Sequence, residues 1–300
     1  MKILSYWELE SKDQLLPLMD QAFGWSFNPR TFANFIKTDP KLKNSEICFC
    51  AMENGRIIGC VGVMDLATCT LSGSIEYVGG VSGVATLPGH TRKGICTALF
   101  IRAHEYFIGK GYRFSFLNTS PTLVAYTLYR KLGYEDAVER PSAYKVVGNK
   151  KPQRSKKAKL DFGRLLKIYK KYVKGKSGFV VRDEAYFRMA TKTDWSAANQ
   201  AVFGDRGYVL FKKEKDLARI GELVAFDPKE MNYLIRVVEE QARDIILSRT
   251  ILGSILLQVF NSCGYMILEK SHGVTMVKPL TADISFKHAY GDKFYMSSLD

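Results

Sequence analysis

The chain has 300 residues, 46% of them hydrophobic, with six cysteines and a formal net charge of +14. That composition belongs to a folded chain long enough for two domains, and it excludes a disordered or collagen-like protein. The cysteines form no CxxC pair and do not cluster with histidine, which excludes a zinc ribbon and predicts buried, reduced thiols with no metal site and no disulfide framework.

The first part of the chain alternates helices and strands. Lys2 to Glu8 runs into charges rather than into an apolar stretch, so no signal peptide is expected. Ile3 to Tyr6 reads as a short strand, and Ser11 to Phe23 as a helix with Leu15, Leu16, Met19 and Phe23 on one side. Asn28-Pro29-Arg30 opens a second helix. Ile47 to Met52 and Ile57 to Leu66 are strands joined by Asn54-Gly55, a strong hairpin signal. Tyr77 to Leu87 is a long, glycine-containing strand, followed by a helix over Gly94 to Ile108 and a strand over Phe114 to Asn118. Ser120-Pro121 opens a further helix that runs to Leu132 and ends at Gly133, with Val124, Leu128 and Leu132 expected to face the core. Ala143 to Val147 is the last strand of this part.

A domain boundary is expected within residues 149–178, a basic linker between a first unit (1–148) and a second (179–300). Lys150 to Lys176 carries most of the excess charge, opposed only by Asp161. Such a run is usually a solvated face, and its functional reading is a surface for nucleic acid or an acidic partner. Phe162 to Val173 within it reads as a basic helix. In the second unit, Gly207 to Lys212 and Ile220 to Phe226 are predicted strands, and Asp227-Pro228 caps a helix through about Arg243. Tyr265 to Leu268 and Val274 to Val277 read as a closing hairpin around Ser271-His272-Gly273. The longest apolar segment, Ile251 to Phe260, is interrupted by Gly253, Ser254 and Gln258, so no membrane span is expected and the chain reads as soluble and cytoplasmic.

The two units share a strand–proline–helix arrangement, Val84 to Pro88 against Leu223 to Pro228, which predicts an internal repeat. In the first copy, Pro88-Gly89-His90-Thr91-Arg92-Lys93-Gly94 makes a basic turn ending in glycine at a helix start. Free backbone N–H groups, the positive dipole end and two cations would together cradle a diphosphate. In the second copy Asp227 and Glu230 occupy that place and would repel an anion.

A second motif, Leu128-Tyr129-Arg130-Lys131-Leu132-Gly133-Tyr134, completes the pattern. Together the two stretches resemble the Gcn5-related N-acetyltransferase (GNAT) superfamily, whose signatures are an Arg/Gln-x-x-Gly-x-Gly/Ala turn and a Leu-Tyr-x-Lys-x-Gly-Phe/Tyr helix end. Thr91 and Cys96 depart from the first signature; the second is complete. The wording of the turn is similar to the enhanced-intracellular-survival acetyltransferases, a branch with a second, degenerate acetyltransferase-like domain and a sterol-carrier-like third domain for which this chain is too short.

The resemblance implies an α/β (α+β) protein of tandem acyl-CoA N-acyltransferase folds, each a mixed sheet flanked by helices. It implies acetyl-CoA as donor and a small-molecule or peptide amine as acceptor. Arg92, Lys93, Gly94, Ile95, Cys96 and Thr97 would hold the diphosphate. Val84, Ala85 and Thr86 would pair with the pantetheine arm like an added strand, and Asn118 would lie across the gap where the two central strands splay. Tyr129, a phenol protonated at neutral pH, would hand its proton to the leaving sulfur. Glu76 is the candidate base, with Asp65, water and a chain-terminal Asp300 behind it; Tyr126 reads as a packing residue and His90 as a packing or phosphate-side residue. Trp25 and Phe27, in the loop between the first two helices, would cover a cationic amine. The competing readings are a non-catalytic acyl-CoA sensor and an RNA- or ribosome-anchored acetyltransferase.

Overall fold

A computed structural model describes residues 1–24, 28–148, 160–192, 198–214, 217–242, 245–248, 254–282 and 284–291. The first half runs β1 (Lys2–Ser5), α1 (Leu15–Phe23), α2 (Pro29–Thr38), β2 (Cys48–Glu53), β3 (Arg56–Cys69), β4 (Ile75–Thr86), α3 (Ile95–Gly109), β5 (Phe114–Thr119), α4 (Val124–Lys131) and β6 (Glu135–Val146). The second runs α5 (Phe162–Val173), α6 (Glu184–Lys192), β7 (Gln200–Phe203), β8 (Tyr208–Glu214), β9 (Leu217–Val224), α7 (Pro228–Gln241), β10 (Ile245–Ser248), α8 (Ser254–Ser262) and β11 (Met266–Pro279), with α9 (Phe286–Tyr290) behind it. From α1 to β6 and from α5 to β11 the order of helices and strands is the same.

The pairing repeats as well. β2, β3 and β4 are antiparallel and β4 meets β5 in parallel, as β7, β8 and β9 are antiparallel and β9 meets β10 in parallel. Each third strand carries an extra residue. Cys60 faces Ala85 while Gly62 faces Ser82, which leaves a bulge at Gly83–Val84; Leu210 faces Glu222 while Phe211 faces Ile220, which leaves one at Gly221.

The strands form one sheet in the order β1-β2-β3-β4-β5-β11-β6-β10-β9-β8-β7. The last strand of each half has crossed to the other: β11 sits between β5 and β6, and β6 pairs with β10. The halves are thus interlocked rather than laid out as two separate sheets. The expected hairpin after Tyr265 is instead one continuous strand. Met266 to Leu268 pairs with Ser142 to Tyr144 and Gly273 to Val277 with Glu135 to Arg140, so a register shift absorbs the intervening residues without reversing the chain. β6 is correspondingly longer than the strand predicted over Ala143 to Val147.

Helices cover both faces. On one, α3 and α4 bury Leu99, Phe100, Phe107 and Tyr129 against β2 to β5 and β11; on the other, α1 and α2 bury Leu15, Leu18 and Ile36 against β2 and β3. The basic helix α5 is not a free linker. Its apolar side, Phe162, Leu165, Ile168, Tyr169 and Val173, is buried against α6, β8 and β9. The hairpin at Asn54-Gly55 forms as predicted, both residues having positive φ. Among the described residues no helix is long and apolar enough to cross a membrane, and no group of three or more His, Cys, Asp or Glu could hold a metal ion. The described cysteines are free thiols.

A chain truncated after Gly148 loses β11 from between β5 and β6. It is expected to show no cooperative thermal unfolding transition by circular dichroism; a sharp transition with native-like ellipticity would show that the first half folds alone.

Candidate functional site

β4 and β5 are hydrogen-bonded only from Gly79–Ser115 to Val81–Leu117. Beyond that point β5 stays on β11, with Asn118 opposite Thr275, while β4 stays on β3 through Ser82, Ala85 and Thr86. The two central strands therefore part, and the bulge lies at the point of parting. Gly83 has φ +54, a left-handed conformation open to glycine at little cost. The strand edge of Val84, Ala85 and Thr86 turned towards the gap can accept an added extended chain. Across the gap, the Asn118 side-chain oxygen accepts a 2.8 Å hydrogen bond from Thr275 Oγ1, so a strand of the second half orients a residue of the first.

β4 leads through a proline turn to the start of α3. Arg92 and Gly94 both have positive φ, at 60 and 77, and Gly94 is the N-cap with no side-chain hydrogen bond to the helix. Helix starts are usually capped by Ser, Thr, Asp or Asn. Here, among the described residues, the amides of Ile95, Cys96 and Thr97 have no protein acceptor, which is the arrangement that binds phosphate. Arg92 and Lys93 are exposed beside them. The Cys96 thiol is pushed up to about 11 by burial, so this departure from the usual small residue adds no negative charge.

Tyr129 lies deeper than the sequence suggests. Val124, expected in the core, is 93% exposed, whereas Tyr129 is 6% exposed. The inward stripe of α4 is Ala125, Tyr129 and Leu132, rotated by about one residue from the predicted one. The Tyr129 ring packs against Phe100 at 5.5 Å and Tyr134 at 6.3 Å. Its hydroxyl makes no hydrogen bond to the described residues. Burial, with the nearby Cys96 thiol, raises its pKa well above the ordinary phenol value and keeps it protonated. Tyr134 is fixed in turn by Ser115 at 2.6 Å and His104 at 3.0 Å.

Glu76 is not brought to this place. Seven residues of strand, about 23 Å, separate it from Gly83. Its carboxylate is bound by Arg113, whose Nε donates at 2.7 Å, and by the Tyr290 hydroxyl. Asp65 is likewise committed to Lys110 at 2.5 Å, Tyr126 donates to Asp136 at 2.9 Å, and His90 lies 3.4 Å from Glu53. Trp25, Phe27 and Asp300 lie outside the described residues, as does the basic stretch from Lys150 to Lys159. In the described remainder of the basic segment, residues 160–176, Arg164 donates to the Gly204 carbonyl at 2.5 Å, and Lys171 and Lys176 lie over the rings of Phe226 and Tyr172.

A cavity of about 230 Å³ lies between α1, α2, β3 and the bulge at Gly83, beside the two helices whose loop is expected to cover the acceptor; the sequence does not anticipate its contributions from β3 and the bulge. Its walls are largely apolar, with Asp39 and Lys41 as the charged members. No local motif marks it, because its lining comes from elements distant in sequence.

The corresponding features of the second half are closed. Asp227 caps α7 by accepting from the Glu230 amide at 2.9 Å, and that amide holds its carboxyl below the ordinary range; Arg206 pairs with it at 3.0 Å. Next to the Gly221 bulge, Glu222 forms a buried ion pair with Arg182 at 2.9 Å and accepts from Tyr208 at 2.6 Å.

Residues 6–137 match the model of the acetyltransferase (GNAT) domain. No curated protein matches the chain in sequence. Among solved structures, a GCN5-related N-acetyltransferase from Kribbella flavida has a TM-score of 0.66 at 15% identity, over 93% of this chain and 72% of that one. Eis1 from Mycobacterium abscessus has 0.63 at 18% identity, over 93% and 74%. A proposed acetyltransferase from Pyrococcus horikoshii has 0.57 at 15% identity, over 98% and 94%. The fold is therefore the one these acetyltransferases share.

His104, which braces Tyr134 behind Tyr129, is lowered to about 4 by burial and by the Lys278 cation. An unfolded histidine takes up its proton near 6.5, so between about pH 6.5 and pH 4 the unfolded chain binds more protons and stability falls as pH falls. The loss approaches about 3 kcal/mol at full protonation. The urea midpoint should drop between pH 7 and pH 4.5, and His104→Gln should flatten that drop; an equally steep drop in the variant would exclude His104 as its source.

Proposed function

We propose that the first half is an acetyl-CoA-dependent N-acetyltransferase acting on a primary amine, and that the second half is a degenerate repeat of the same unit. The observation that carries this reading is one continuous arrangement: the parting of β4 from β5 leads to the uncapped start of α3, and Tyr129 lies beside that start. Coenzyme A would supply an activated acetyl thioester and a diphosphate. The amides of Ile95, Cys96 and Thr97, with Arg92 and Lys93, would take the diphosphate. Val84, Ala85, Thr86 and Asn118 would hold the pantetheine arm in the gap.

Tyr129 then acts as general acid. Acetyl transfer to nitrogen breaks the thioester bond, frees the proton of the attacking amine and leaves a sulfur that needs one. The protonated phenol donates to the sulfur and is restored by the amine's proton, so no net charge is left in the site. Glu76 has no place in this scheme, since its carboxylate is engaged elsewhere. The second half lacks the requirements for the same chemistry, because its own carboxylates occupy the helix start and the space by the bulge. A branch relationship to the tandem enhanced-intracellular-survival type is consistent with the repeated element order.

The test is thiol release from acetyl-CoA over an amine library, with product masses, and calorimetry of coenzyme A binding. One coenzyme A per chain is expected. Tyr129→Phe should lower kcat about a hundredfold and leave the coenzyme A Kd within about twofold. Arg92→Ala with Lys93→Ala should weaken coenzyme A about tenfold or more. Equal loss of turnover and affinity in the Tyr129 variant, or a Kd indifferent to both cations, would contradict the assignment.

A further inference from the structure

The cavity beside Gly83 has a size and lining that bear on the acceptor, given the reading above. Met19, Phe32, Phe35, Ile47 and Met64 supply its apolar walls, and the bulge forms one edge of it. At about 230 Å³ it is smaller than the roughly 300–1,000 Å³ of sites for drug-sized ligands. Its charged lining residues are Asp39 and Lys41. Asp39 is 2% exposed and accepts the Lys41 backbone N–H at 2.9 Å. Lys41 sends its ammonium towards the second half, 3.3 Å from the Tyr186 hydroxyl and 4.7 Å from that ring.

A ligand with several ammonium groups would need several carboxylates or water around it, because a desolvated cation without a partner is expensive. Among its described lining residues this cavity offers one carboxylate, that of Asp39. It suits a ligand that presents a single amine at the bulge and an apolar body to the walls.

We propose that the acceptor is a compact monoamine with an aromatic or aliphatic body, bound in the cavity between α1, α2 and β3, and not a polyamine or an aminoglycoside.

The experiment is calorimetric titration of the full chain, saturated with coenzyme A, with 2-phenylethylamine and n-hexylamine against spermidine and kanamycin. The apolar monoamines should bind at least tenfold more tightly than either polycation. Phe32→Lys, which places a cation in the cavity wall, should weaken the monoamines at least tenfold and leave the coenzyme A Kd unchanged. Equal or tighter binding of the polycations by the unaltered chain, or no binding of any amine while coenzyme A binds, would overturn the proposal. Failure of coenzyme A itself to bind would overturn the acetyltransferase reading and this inference with it.

Discussion

The site depends on the point at which β4 stops pairing with β5. A parallel pair that continued past Val81 and Leu117 would leave no room for an extended ligand between the strands. The bulge at Gly83–Val84 turns β4 away, and β11 keeps β5 from following. Past the gap, β4 leads through the proline turn to a helix start without a side-chain cap, so hydrogen-bonding capacity is left unspent along a continuous path. In a folded protein such groups are normally satisfied internally, and their exposure in sequence along one path is what marks the site.

The second half repeats the frame and withdraws the chemistry. It keeps the bulge at Gly221 and a proline at the helix start, but Asp227 caps α7 and Glu222 is neutralised by Arg182. A buried ion pair of this kind seldom adds much stability over an apolar filling, and removing one member is costly. Its effect here is to close the space that the first half keeps open. The second half nevertheless helps to build the first: β11 separates β5 from β6, Thr275 orients Asn118, and Lys278 donates to the Leu132 carbonyl at the end of α4 at 2.6 Å. The interlocked sheet ties the two halves together structurally.

Features written in adjacent residues were legible in the sequence. Asn54-Gly55 specifies its hairpin, Gly94 its helix start, and Asp227-Pro228 its cap, because each is decided by local backbone preferences. The likeness of the two halves was legible at one strand–proline–helix junction. What depends on distant partners was not. Nothing near Tyr265 reveals that β6 would hold both parts of β11 in one line. Nothing near Glu76 reveals Arg113 and Tyr290, which lie 37 and 214 residues further along the chain. The apolar pattern of α4 is one residue out of phase with its packing, because Val124 is apolar yet exposed and tertiary packing selects Tyr129 as the inward residue.

The central claim is that the amides opening α3, and not those opening α7, receive the diphosphate. Amide hydrogen exchange with and without coenzyme A measures this most directly. Slowed exchange over residues 93–98, with residues 227–232 unchanged, is the result expected. Protection at the start of α7, or protection that leaves the start of α3 untouched, would contradict it.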